Sequence, residues 1–202
     1  MANYEYIIAS VPSLSPDWRF GEGRTLDGYL SWIKSQLSPR DSKTVDTVVE
    51  GFGEESLDRE FYEAALKSPN RFVREYFTFD LKFRNAKARF VNKAFGRPEA
   101  ADTIDIDAGE FEEEGKVAET LSMTDILARE RGLDSIRWEK ISSLTTFSYF
   151  DMDAILGLVA KMLLVDRWRS LDEEAGRDMF DTLLSETRGS YGGVNYNAPS
   201  NE

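Results

Sequence analysis

Two residue types are missing altogether: the 202 residues contain no cysteine and no histidine. Without cysteine there can be no disulfide, no thiolate metal site and no cysteine nucleophile, a pattern that fits a reducing intracellular compartment. Without histidine the chain loses the commonest general base, the commonest metal ligand and the only side chain that titrates near neutrality unaided. Any catalysis would have to run on carboxylates, lysine or serine. Positive charge is also in deficit. Lysine and arginine number 25 against 37 acidic residues, a formal net charge of -12, so phosphate backbones and anionic headgroups are repelled and nucleic acid is excluded as a first expectation.

Long apolar runs are scarce too. The most apolar stretch, "MDAILGLVAKMLLVDRW" from Met152 to Trp168, carries Lys161 near its middle, and Asp151, Asp153, Asp166 and Arg167 crowd its ends. Crossing hydrocarbon takes roughly 20 mostly apolar residues, so no direct membrane insertion is expected. Between Ala154 and Val165 the stretch is apolar nearly all round apart from Lys161, which predicts a helix buried among helices. Lys161 has no carboxylate at i±3 or i±4 and must reach solvent or a tertiary partner. At the other end of the chain, Met1 to Val11 carries Glu5 and no basic residue and meets Pro12 before an apolar core of a signal peptide could form. A cytoplasmic location is expected.

What is present reads as helix. The composition, 41% hydrophobic and 12% aromatic, suffices for a buried core in one domain or two small ones. "RTLDGYLSWIKSQL" sets Leu26, Leu30, Ile33 and Leu37 on one face behind a Thr25 cap, and "SPRDSKTVDTVVEGFG" closes on a glycine. "ESLDREFYEAALKSPN" places Leu57, Phe61, Ala64 and Ala65 together, and "RFVREYFTFDLKFRNAKARFVNKAFGRP" predicts the longest helix, begun by Ser68 and Pro69. "YFTFDLKF" also alternates like a strand, but the length and the lack of turn residues favour helix. "SMTDILARERGLD" predicts a short helix between a Ser122 cap and Gly132. The resulting organisation is an N-terminal helical half over 1–98, an exposed and at most partly helical acidic connector over 99–120, a C-terminal helical half over 121–187, and a Gly, Asn and Ser-rich tail over 188–202 with nothing periodic to bury.

Several chemical motifs are only partial. "RFGEGR" and "GFGEES" contain Gly-x-Gly but neither the third glycine nor the Gly-Lys-Ser/Thr end of a P-loop, so they read as turns or caps. "DIDAGEFEEEGK" opens like a calcium loop with Asp105 and Asp107. It then puts Gly109 and Glu110 where a ligand and the obligatory glycine belong, and Lys116 where the bidentate glutamate belongs. "DMD", Asp151 and Asp153, stands at the start of an apolar helix and is read as capping charge at the positive dipole end. No catalytic, cofactor-binding or metal-ligating residue is assigned, and no small-molecule substrate is implied. The charge pattern is more informative. Arg71, Arg74, Lys82, Arg84, Lys87, Arg89, Lys93 and Arg97 stand against only Glu75 and Asp80, and the acidic connector follows directly. Two readings remain open: the basic and acidic segments face each other or solvent within one protein, or the eight basic residues form a docking surface for an acidic partner.

The start "YEYIIASVPSLS", the centre "FDLKFRNAKARFVNKAFGRP" and above all "ILARERGLDSIRWEKISSLTTFSYFDMDAILGLVAKMLLVDRWRSLDEEAGRDMF" together resemble a family of uncharacterised bacterial proteins encoded in V-type ATPase operons. That family is remotely similar to the C subunit of the archaeal-type and V-type ATPases, called d in the eukaryotic enzyme, in which a Tyr-rich N-terminus and an Asp-x-x-Asn-Leu-like helix recur. The counterpart here is Asp80, Arg84 and Asn85, with wider spacing and Ala86 in the place of leucine. The resemblance implies an all-α, irregular multi-helix bundle in two helical halves and a non-catalytic role. Such a protein would be an adaptor between the central stalk and the membrane rotor ring of a rotary ATPase, supporting ATP-coupled ion transport. It would be cytoplasmic and peripheral to the inner membrane through that complex, with the other ATPase subunits as partners. An assembly or regulatory factor of the same ATPase is the alternative, and a carboxylate-dependent hydrolase a more distant one.

Overall fold

The computed structural model describes residues 3–53 and 57–170. Among them are eight helices and no strand: α1 (Tyr4–Ser10), α2 (Leu26–Ser35), α3 (Pro39–Phe52), α4 (Arg59–Leu66), α5 (Arg71–Ala94), α6 (Glu114–Leu121), α7 (Ile126–Thr145) and α8 (Met152–Ser170). The all-α multi-helix expectation holds. Residues up to Asp166 make one compact unit; a second begins at Arg167 and is described only for the last turn of α8. The expected C-terminal boundary at 187 and the tail over 188–202 lie outside the described residues.

Local chemistry accounts for most helix starts. The Thr25 hydroxyl accepts from the Gly28 N–H, Ser38 accepts from Asp41 with Pro39 at the first helical position, and Asp58 accepts from Phe61, each satisfying one of the orphan donors of a first turn. Two starts differ from the sequence expectation. Asn70 caps α5 by accepting from the Val73 N–H, and Ser68 and Pro69 precede the helix. Asp125 caps α7 by accepting from Leu127 and Ala128, while Ser122 closes α6. Gly132 therefore does not end a short helix. It sits inside the 20 residues of α7, where a Cβ would lie 2.7 Å from Thr120 Cγ2 of α6. The glycine is there for a close helix approach, a requirement that local sequence does not reveal.

α5 is the spine, touching α3, α4, α6 and α7. Phe72, Val73, Tyr76, Phe77, Phe79, Leu81 and Phe83 are buried along it, and at roughly 1.5–3 kcal/mol per large apolar side chain this face supplies much of the gross burial energy. Phe52 and Phe72 both stack on Tyr76 with near-parallel rings, at centroid distances of 5.4 and 5.6 Å. From α8, Ile155, Leu156, Val159, Ala160, Met162 and Leu164 are fully buried. The stretch from Ala154 is a core helix, as its all-round apolarity predicts.

The acidic segment between α5 and α7 is more than an exposed connector. Its carboxylates at Asp105, Asp107, Glu110 and Glu112 point outward, but Ile104, Ile106, Ala108 and Phe111 pack against the core and α6 buries Val117 and Leu121. Asn85 on α5 fastens it. The Asn85 amide donates to the Ile104 carbonyl and its oxygen accepts from the Ile104 N–H, both at 2.9 Å. With α6 and α7 both packed on α5, the two expected halves share one core up to Asp166.

Candidate functional site

A charged cluster sits inside this core. Asp80, 1% exposed, accepts at Oδ2 from the Tyr62 hydroxyl and from Arg84 Nε, both at 2.7 Å, and at Oδ1 from Arg137 at 3.0 Å. Arg137 also faces Asp134 at 3.9 Å and lies over the Phe83 ring at 5.0 Å, and Arg84 reaches the Gly51 carbonyl at 3.3 Å. Two carboxylates balance two guanidiniums, so the cluster adds no net charge to the interior, and the planar arginine forks suit several partners at once. Burial is the largest influence on Arg137 and works against its charge, but Asp80, Tyr76 and Asp134 together outweigh it and move its pKa up. Burial, reinforced by Asp80, moves the Tyr62 phenol up. Both groups are held in their resting protonation states. Such a cluster ties α3, α4, α5 and α7 together, with both carboxylate oxygens of Asp80 engaged.

The eight basic residues marked by the sequence are scattered in role. Arg71 donates to Asp153 and to the Leu144 carbonyl and pairs with Glu75. Arg74 donates to the Ser68 carbonyl, Lys82 to the Glu110 carbonyl, and Arg84 belongs to the buried cluster. Lys87 faces Glu130 at 3.8 Å and Arg97 pairs with Asp102. Arg89 and Lys93 are exposed and have no side-chain partner among the described residues. Six of the eight thus serve internal contacts. Lys140 on α7 pairs with Glu113 of the acidic segment, and Lys116 on α6 pairs with Glu139 on α7, so the segment is tied to α7 by ion pairs of both senses.

The Asp151–Asp153 pair divides its work. Asp151 caps α8 through the Ala154 N–H, and Asp153 accepts from Asn70 at 3.0 Å and from Arg71 at 3.1 Å. Lys161 finds its tertiary partner in an aromatic ring, with Nζ 5.0 Å from the centre of Trp138, and burial moves its pKa down. Among the described residues no three acidic side chains converge as a metal site would require.

Surface cavities are shallow. One of about 370 Å³ is lined by Arg24, Tyr29 and Trp32 near the start of α2, and another of about 370 Å³ lies between Lys82, Glu113 and Lys140. Neither is lined by the buried cluster. The more distinctive surface is apolar. In the loop between α7 and α8, Phe147, Tyr149 and Phe150 are 88%, 68% and 57% exposed, and just past the end of α5, Phe95 is 77% exposed beside Val91. Arg71 brings the first turn of α5 to the last turn of α7 and the first of α8, whereas Lys87 meets Glu130 toward the opposite end. The two apolar surfaces therefore flank the two ends of α5, which at 24 residues spans about 36 Å. The sequence marks neither, because an aromatic residue in a loop carries no periodic signal.

No helix among the described residues is long and apolar enough to cross a membrane. No curated protein and no solved structure matches the chain. Over residues 100–188, which take in α6, α7 and α8, the chain matches the model of a family described as a protein of unknown function, DUF2764.

Proposed function

We propose that this protein is a non-catalytic component of a bacterial V-type ATPase, an adaptor like the C subunit that joins the central stalk to the membrane rotor ring. The observation that carries the reading is the pair of exposed apolar surfaces at the two ends of α5. An adaptor that transmits torque needs a stiff body and two interfaces. Here the stiff part is the compact unit up to Asp166, braced by the Asp80 cluster, and exposed aromatic groups of this kind mark protein contacts. The sequence resemblance to proteins of V-type ATPase operons supplies the machine. Its location would then be cytoplasmic and peripheral, through the complex.

An enzyme is disfavoured by the use of the buried carboxylate, which is fully engaged with arginine and tyrosine. An assembly or regulatory factor of the same ATPase has the same surfaces and differs in stoichiometry. Deleting the gene and assaying the membranes tests between them. A rotor component predicts that ATP hydrolysis persists while ion pumping is lost; an assembly factor predicts that both fall together with the amount of assembled complex. Unchanged hydrolysis and pumping contradict both.

A further inference from the structure

We infer that the loop Phe147–Phe150 is the element by which this protein docks, and that it enters an apolar pocket rimmed by basic side chains on another protein of the ATPase. The inference rests on the proposed function for the identity of the machine and on the loop's own geometry for the rest. Three of four consecutive residues offer large aromatic side chains to solvent, the residue types that anchor interfaces when they fill a partner's pocket.

The loop is held in place for this. Arg71 donates to the Leu144 carbonyl at 2.8 Å on the α7 side and to Asp153 on the α8 side, and Asn70 donates to Asp153 as well. Within it the Ser148 N–H donates to the Thr145 carbonyl at 3.0 Å, the Thr146 hydroxyl donates to the Ser142 carbonyl, and Asp151 caps α8. Ordering before contact lowers the entropic cost of docking. Arg71, which the sequence marks as a docking residue, becomes a positioning residue for the loop.

Charge selects the partner. Asp151, next to Phe150 in the chain, is exposed and makes no ion pair among the described residues. On the α7 side of the loop, the cavity that reaches Leu144 is lined by Glu75, Glu110, Glu112 and Glu113 against Arg74, Lys82 and Lys140, so carboxylates predominate near the loop. Of the nearby cations, Arg71 is already paired with Asp153 and Glu75, and Lys140 with Glu113. An acidic rim repels anionic headgroups and attracts a basic protein surface. At the far end of α5, Arg89 and Lys93 are exposed and without a side-chain partner among the described residues.

The test uses the full chain with a photo-reactive phenylalanine analogue in place of Phe147, illuminated in membranes that contain the ATPase. The expected product is a covalent adduct with one of the ATPase proteins, lost when Tyr149→Ser and Phe150→Ser are added and diminished at high salt. In parallel, the chain carrying Phe147→Ser, Tyr149→Ser and Phe150→Ser recovers ATPase subunits at least about tenfold less well than the native chain, with unchanged helical circular dichroism. Because Phe147 packs on almost nothing, Phe147→Asp alone serves where the triple variant folds poorly. If the native chain recovers ATPase subunits but no adduct forms at 147 and the variants recover them equally, the loop assignment is overturned and the proposed function stands. Adducts only with lipid, with a second copy of this chain or with an unrelated protein also overturn it. Failure of the native chain to recover any protein of the ATPase overturns both.

Discussion

Arg137 on α7 places one guanidinium nitrogen 3.0 Å from Oδ1 of Asp80 on α5, with the carboxylate 1% exposed and its other oxygen held by Tyr62 and Arg84. Removing one partner of a buried pair leaves the other charge uncompensated, at a cost of about 3–5 kcal/mol. Asp80→Ala is therefore expected to lower the unfolding free energy by that amount, read from urea midpoints with an unchanged slope. Lys116→Ala, which breaks the exposed pair with Glu139, is expected to cost less than about 1 kcal/mol. Equal losses would show that the cluster braces nothing.

The two buried tyrosines beside this cluster should respond in opposite ways. Tyr62 donates to Asp80, so Tyr62→Phe withdraws a donor from a buried carboxylate and should cost about 1–3 kcal/mol. The Tyr76 hydroxyl is buried with no partner among the described residues, so Tyr76→Phe should be neutral or stabilising. Burial, the first cause for each, moves both phenols up. A raised folded pKa gives stability that is fully present below the unfolded value near about pH 10 and is lost as pH rises beyond it. Phenolate absorbance should show both tyrosines withheld from titration until the protein unfolds in alkali.

At Gly157 a Cβ would lie 2.5 Å from Thr145 Cγ2, where the end of α7 meets α8. Gly157→Ala gains up to about 1 kcal/mol in helix propensity but loses about 1–3 kcal/mol to overpacking, for a net loss in thermal stability. Thr145→Ser removes the obstructing methyl and keeps the hydroxyl that donates to Ile141. The double variant should recover the loss, a coupling that a double-mutant cycle measures directly.

Lys161 gives a pH dependence of the opposite sign to the tyrosines. Burial holds its pKa below the ordinary lysine value, so the folded state binds this proton less tightly than the unfolded state does. Charging it therefore costs stability below the folded pKa, and the cost is relieved as pH rises toward about 10. The site is half-buried and the ring of Trp138 offsets part of the cost. Lys161→Met should accordingly be more stable than the native chain near neutrality by roughly 1 kcal/mol or less, with the advantage shrinking as pH rises toward about 10 in paired unfolding curves.

The parts of the fold visible in the sequence are those set by local chemistry. Thr25 and Ser38 cap the helices they precede because a side-chain oxygen meets an orphan N–H within three residues, and α8 declares itself by apolarity on every side. Tertiary decisions are hidden. Gly132 has the form of a helix end and serves instead as a contact point for Thr120. The acidic segment looks solvated because its carboxylates outnumber Ile104, Ile106 and Phe111, yet those few apolar residues set its course over the core. In the candidate site, Asp80, Arg84 and Asn85 stand out together by resemblance, and all three prove to hold the fold. The basic residues cannot be sorted by sequence, since only folding decides which find carboxylates. The aromatic loop escapes notice there because its importance lies in what does not cover it.

Co-purification tests the central claim most directly. The full chain, tagged and expressed at its native level, is recovered from detergent-extracted membranes and the accompanying proteins are quantified. An adaptor of the rotary ATPase predicts central-stalk and rotor-ring proteins in fixed proportion to this chain. Recovery of the chain without any other protein of the ATPase would contradict the account.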